Sequence, residues 1–173
     1  MKKYIFKPYS KSFPILFEKE KQRIASHLKK DLQIEHVGST AVPDLGGKGI
    51  IDIAIAARKQ EIESVSQQLQ TLGYEFRPIY STPDRLYFIA YLPDPEEGTR
   101  RYHLHLTYPE SQDWRDLIFL RDYLRTHPEE AKKYGQLKEQ AAVESNEVGE
   151  KYRQLKDPLI KQILAHLSKE KIE

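Results

Sequence analysis

The chain has 173 residues, enough for one domain with a sizeable core and too few for several. A net charge of +2 is too slight to mark a nucleic-acid surface, and the absence of cysteine excludes a disulfide framework, a thiol nucleophile and a thiolate metal site. No run approaches the roughly 20 apolar residues of a membrane span. Met1-Lys2-Lys3 starts like a secretory leader, but Lys7, Lys11 and Pro14 interrupt any apolar stretch, so the expectation is a cytoplasmic protein.

Taken in chain order, Phe13, Phe17, Ile24 and Leu28 form one helical stripe behind Ser12 and Pro14, read as a cap and a first-turn proline. Strands follow at about 33–37 and 50–56. Ile62, Val65, Leu69 and Leu72 mark a second amphipathic helix stopped by Gly73. Tyr74–Arg77, Leu86–Leu92 and Arg101–Tyr108 read as three further strands, the last two separated by turn chemistry at 93–98. Beyond residue 110 the pattern is helical, with breaks near Pro128, Gly149 and Pro158 and with Trp114, Leu117, Ile118 and Leu124 as core. The expected fold is a single α/β (α+β) domain over 1–173, a mixed sheet of about five strands with packed helices and a helical part from about 111 to 173.

Chemistry concentrates between residues 34 and 53. Gly38 lets the backbone approach a ligand, and Ser39 offers a hydroxyl and an N–H at a chain reversal, where successive N–H groups form an anion-binding concavity. Asp52 is one carboxylate in an otherwise apolar strand, with small Ala54 and Ala56 on its face. The reading places Ser39 and Asp52 at neighbouring strand ends on one rim of the sheet. A phosphate at the turn and a cation on Asp52 then belong together. A lone surface Asp is the plain alternative.

Farther along, His103 and His105 share one strand face with Arg101 and Thr107. They suit contact with phosphate or substrate, or a two-His, one-carboxylate metal set with Asp52. Arg121 and Arg125 lie one helical turn apart and are candidates to clamp phosphates, against an exposed basic stripe paired with Asp122 and Glu129. Lys48 precedes the Asp52 strand and is placed to neutralise phosphate. The tyrosines 80, 87, 91, 102 and 108 read mainly as half-buried strand packing, with a base-stacking platform as the alternative. His27, His127 and His166 read as surface residues.

The run Glu35-His36-Val37-Gly38-Ser39-Thr40-Ala41-Val42-Pro43, followed by Lys48-Gly49-Ile50-Ile51-Asp52-Ile53, resembles the GrpB-like family. The match continues through Leu72-Gly73-Tyr74, His103-Leu104-His105-Leu106 and Phe119-Leu120-Arg121-Asp122-Tyr123-Leu124-Arg125, then Tyr134, Leu137-Lys138, Tyr152 and Lys156. That family is similar to the nucleotidyltransferases of the polymerase-β type. The resemblance implies a nucleoside triphosphate or a small phosphorylated ligand as partner, Mg²⁺ or Mn²⁺ held weakly on Asp52 with help from the nucleotide, and nucleotide contacts from Gly38, Ser39, Thr40, Lys48, Arg121 and Arg125. Asp52, His103 and His105 are the catalytic candidates. Two departures stand out: Ala54 occupies the second carboxylate position of an Asp-x-Asp pair, and Asp44 stands where the family usually has Gly. Nucleotidyl transfer, a degenerate nucleotide sensor and a His/Asp metal hydrolase are therefore all carried forward.

Overall fold

Alternation along Ile51–Ala56 divides the molecule into two layers: Ile51, Ile53 and Ile55 are fully buried on one face, and Asp52 looks out from the other. A computed structural model describes residues 5–145 and 149–169. Met1-Lys2-Lys3, weighed above as a leader, lies outside them. The elements are α1 (Ser12–Leu28), β1 (Gln33–Val37), β2 (Ile51–Ala56), α2 (Ile62–Thr71), β3 (Glu75–Phe76), β4 (Leu86–Asp94), β5 (Gly98–Thr107), α3 (Gln112–Thr126), α4 (Pro128–Glu144) and α5 (Gly149–Lys169). The sheet order is β1-β2-β5-β4-β3, with β2 and β5 parallel and the other neighbours antiparallel, the mixed sheet expected.

The isoleucine face packs on the predicted stripe of α1 and on Val65 and Leu69 of α2, together with Phe88, Tyr102, Leu104 and Leu106. A second apolar cluster joins Val42 and Leu45, from the loop after β1, to Leu124 of α3, Ala131 and Tyr134 of α4 and Ile163 of α5. That cluster presses the three C-terminal helices toward the β1–β2 loop, and so toward Asp52. Among the described residues no helix is long and apolar enough to cross a membrane.

Several local expectations are corrected. Ser12 opens α1 but does not cap it; the hydroxyl of Ser10 accepts from the Ser12 N–H at 3.2 Å instead. Pro158 sits inside α5, and the break at Pro128 is real. Of the four residues assigned to the core of α3, only Leu124 is buried, because this helix leans on the sheet edge rather than on its centre. The 93–98 turn is tighter than expected. Buried Asp94 still belongs to β4, accepts from the N–H groups of Glu96 and Glu97, and pairs with buried Arg100 at 2.6 Å. Arg100 also donates to the Gly49 carbonyl at 2.7 Å, which ties the β4–β5 hairpin to the turn that launches β2.

Candidate phosphate site at the β1–β2 rim

Strand register assembles the site. Val37, the last residue of β1, is opposite Asp52, and Asp52 is level with His103 across the parallel pair. One row farther along the same face come Glu35, Ala54, His105 and Tyr87. Ser39 begins a short 3-10 turn just past Val37. Ser39 and Asp52 thus share a rim, as the sequence implies.

Gly38 is where the turn meets the carboxylate. Its backbone has φ 71° and ψ −172°, a region almost closed to residues with a side chain. A Cβ there would stand 2.5 Å from Asp52 Oδ2. The other oxygen, Oδ1, lies 3.2 Å from His103 Nδ1 and 3.9 Å from His105 Nε2. Burial works against charge on Asp52, but hydrogen bonding from the two imidazoles outweighs it and holds the carboxyl well below the usual carboxylate range.

The tautomers follow from the partners. Arg85 Nη1 is 2.9 Å from His105 Nδ1 and can only donate, so Nδ1 accepts and Nε2 carries the hydrogen toward Asp52. Burial pushes the His105 pKa down, against the pull of Asp52. His103 turns Nδ1 to the carboxylate, which can only accept, and its Nε2 is buried with no partner among the described residues. Arg101 Nε, two residues back on this face, is likewise buried and unpartnered. Tyr87 sets its ring 5.2 Å from both imidazoles, whereas Tyr102 belongs to the opposite, core face.

Behind the turn, His36 stacks on Phe17 with ring centroids 4.6 Å apart. Thr40 Oγ1 donates to the Ile50 carbonyl at 3.0 Å, so His36 Nε2 donates to Thr40 Oγ1 at 2.9 Å. Burial pushes the His36 pKa down to about 4. Thr40 is therefore a tie between the turn and β2 and presents no hydroxyl to a ligand, which corrects its assignment as a nucleotide contact.

Arg121 and Arg125 are also placed differently from the expectation. Arg121 reaches the sheet but is spent on Glu35 at 2.5 Å, the His36 carbonyl at 3.2 Å and Asp122 at 2.8 Å. Arg125 donates to the Ala41 carbonyl at 2.8 Å. Both brace the end of β1 and its turn; Arg121 is engaged on three oxygens, whereas Arg125 uses Nε and leaves its side chain 42% exposed. His27, His127 and His166 are exposed, as expected.

The sequence reading names Lys48 as a phosphate contact and places Lys138 only in the family match; what it misses is Lys138 as a site residue. Lys138 of α4 is only 4% exposed, and its ammonium lies 2.7 Å from the point that a Cβ on Gly47 would occupy. Ser39 Oγ lies 2.7 Å from the same point. Hydroxyl and ammonium therefore face each other across a glycine. The Tyr134 ring lies 4.9 Å from this ammonium, and Lys138 makes no ion pair among the described residues. Burial pushes its pKa down to about 7, with Asp52 pulling it up and Lys156 and Lys48 pushing it down further. Lys48, over the Tyr152 ring at 4.4 Å, is pushed down to about 8, first by burial and then by Lys156. A signal existed: Ala131, Tyr134, Lys138 and Ala141 form one buried helical stripe, and a lysine within it needs a reason.

A pair of Mg²⁺ ions does not fit these donors. Ala54 removes the second carboxylate, its neighbour Glu35 is held by Arg121, and Asp52 Oδ1 faces two imidazoles. Among the described residues no group of three or more His, Asp or Glu side chains is arranged to hold a metal ion. Magnesium wants a near-octahedral shell of oxygens, whereas the groups around Asp52 are nitrogens and ammonium ions.

Comparison with known proteins gives a family. The GrpB protein family model matches residues 4–166. A UPF0157 protein of Pseudomonas aeruginosa is 35% identical over 159 residues, covering 91% of this chain and 64% of that protein. The UPF0157 protein YqkA of Bacillus subtilis is 33% identical, covering 88% and 44% respectively, so the chain spans less than two thirds of either relative. The crystal structure of the conserved protein GrpB from Enterococcus faecalis superposes with a TM-score of 0.81 at 29% identity, covering 98% of this chain and all of that one.

Proposed function

The chain belongs to the GrpB family, and on that premise we propose that it binds a nucleoside triphosphate or a related phosphorylated small molecule at the Gly38–Ser39 turn. The observation that carries this reading is the meeting of the Ser39 hydroxyl, at the Gly38–Ser39 turn, with the buried Lys138 ammonium at Gly47. A buried ammonium without an acidic partner is costly, and an anionic ligand is the natural counter-charge. The unpartnered Arg101 Nε and His103 Nε2 extend the polar lining along β5. A phosphorylated metabolite and a cysteine-free chain also suit the cytoplasm.

Binding without transfer is the primary reading, favoured by Ala54 and by the engagement of Glu35 with Arg121. Nucleotidyl transfer is the second, and one observation favours it: Asp52 orients His103 through Nδ1, and Nε2 has no partner among the described residues. In that scheme the hydroxyl of an acceptor gives its proton to His103 Nε2. Its oxygen bonds to the α-phosphorus as the bond to pyrophosphate breaks, and the electron pair leaves with pyrophosphate. The His103 contact and the lysines would then supply positioning and charge stabilisation.

Calorimetric titration with a panel of nucleoside triphosphates and sugar phosphates tests the proposal. Saturable binding that weakens in Ser39→Ala supports it, and failure of every phosphorylated compound to bind refutes it. Pyrophosphate release that disappears in His103→Ala decides for transfer.

A further inference from the structure

We propose that the Lys138 ammonium takes the place of the divalent cation, so that this protein grips a polyphosphate chain without a metal. The inference rests on the phosphate reading above and specifies its chemistry. Any site for a di- or triphosphate must meet several negative charges at close range. Metal-dependent sites do so with carboxylates that hold Mg²⁺ against the phosphate oxygens. Here Ala54 stands at the second carboxylate position and Glu35 is engaged by Arg121, whereas the Lys138 ammonium lies beside the Ser39 turn.

Three observations locate the arrangement. Lys138 is 4% exposed, makes no ion pair among the described residues, and holds its ammonium 4.9 Å from the centre of the Tyr134 ring. Its ammonium faces the Ser39 hydroxyl across Gly47, where any side chain would fill the gap: a Cβ would come within 2.7 Å of both. The carboxylate set is incomplete: Ala54 stands at the second acidic position, Glu35 is held by Arg121, and Asp52 Oδ1 faces two imidazoles. An ammonium beside a hydroxyl at a glycine gap, with no ion pair among the described residues, resembles half of an ion pair whose other half is a ligand.

The elements also set direction: Lys138 comes from α4, and His103 and His105 come from β5. The distal phosphates occupy the gap beside Lys138. The remainder of the ligand runs along β5 past His103 toward Arg101 and exposed Tyr91.

Inorganic tripolyphosphate is the probe, titrated calorimetrically into the whole protein in EDTA and again in excess Mg²⁺. The expected result is binding in EDTA at least as tight as in Mg²⁺, because Mg²⁺ competes with Lys138 for the phosphate oxygens. Lys138→Met should weaken it at least tenfold, and Lys138→Arg should restore part of the loss. Gly47→Ala, which leaves every charge in place and fills the gap, should weaken it comparably. Binding seen only with Mg²⁺ overturns the metal-free inference and leaves the phosphate reading standing. Metal-free binding indifferent to both Lys138→Met and Gly47→Ala overturns the assignment to Lys138. No binding under either condition removes both readings. If Lys138→Met fails to fold, the EDTA comparison and Gly47→Ala still decide.

Discussion

Gly38 and Asp52 are fitted to each other: Asp52 Oδ2 lies 2.5 Å from the position of a Cβ on residue 38, and the backbone there, at φ 71° and ψ −172°, favours glycine alone. The phosphate-type turn and the acidic residue are thus one mechanical unit. Gly38→Ala should destabilise the protein by about 2–4 kcal/mol, combining backbone strain of about 1–3 kcal/mol with the clash against the carboxylate. Denaturant unfolding checks this. A cost under about 0.5 kcal/mol would show that the turn relaxes freely and that the fit to Asp52 is incidental.

Acid should weaken the fold through His36. Its pKa is about 4 in the folded chain against an ordinary 6.5, so between those values the unfolded chain binds the extra proton. Stability is therefore intact above about pH 6.5 and is lost as the pH falls toward 4, with a slope of about 1.4 kcal/mol per pH unit for each such group. Buried His105 is shifted in the same direction and adds to the slope. Unfolding curves at several pH values should show a steep loss in the wild type and a shallower one in His36→Leu. Equal slopes would refute the role given to His36.

Lys138 should be a liability to the free protein. Its pKa of about 7 lies below the ordinary 10.5, so the unfolded chain holds the proton more strongly over that window. Stability then rises with pH from about 7 to about 10.5 as the folded chain loses a charge it accommodates poorly. Lys138→Met should be more stable than the wild type by about 1–3 kcal/mol at pH 7, with the advantage shrinking toward pH 10. A variant less stable than wild type at pH 7 would mean that the ammonium is already satisfied without a ligand.

Much of this was legible in the residues, for a physical reason. Strand alternation alone places Asp52 opposite the isoleucines and aligns His103 with His105, and the α1 stripe repeats with helical period, so the sheet and its main core follow from pattern. What pattern does not encode is which partner a long polar side chain finds. Arg121 and Arg125 share a helix face as read, yet they bond Glu35 and the carbonyls of His36 and Ala41, acceptors that β1 and its turn present to α3. Thr40 matches the motif and is absorbed by His36 and Ile50. Lys138 sits 91 positions after Gly47 and meets it only through packing of the C-terminal helices, a contact no local spacing announces. The buried pair Arg100–Asp94 escaped for the same reason: the turn at 95–97 hides a strand end inside the fold.

Asp52 separates the competing accounts of the site most sharply. A carboxylate that carries Mg²⁺ is required for binding, whereas one that merely stands beside lysines repels phosphate. The decisive measurement is the affinity of the Asp52→Asn variant for tripolyphosphate in EDTA, compared with wild type. Lysine-based binding predicts that the variant binds as tightly or more tightly, by up to roughly tenfold, since about 1.4 kcal/mol of repulsion corresponds to that factor. Failure of the wild type to bind in EDTA would contradict the account and return the site to a metal held on Asp52. Loss of EDTA binding in Asp52→Asn, with the fold intact, would contradict it by making the carboxylate itself part of the grip.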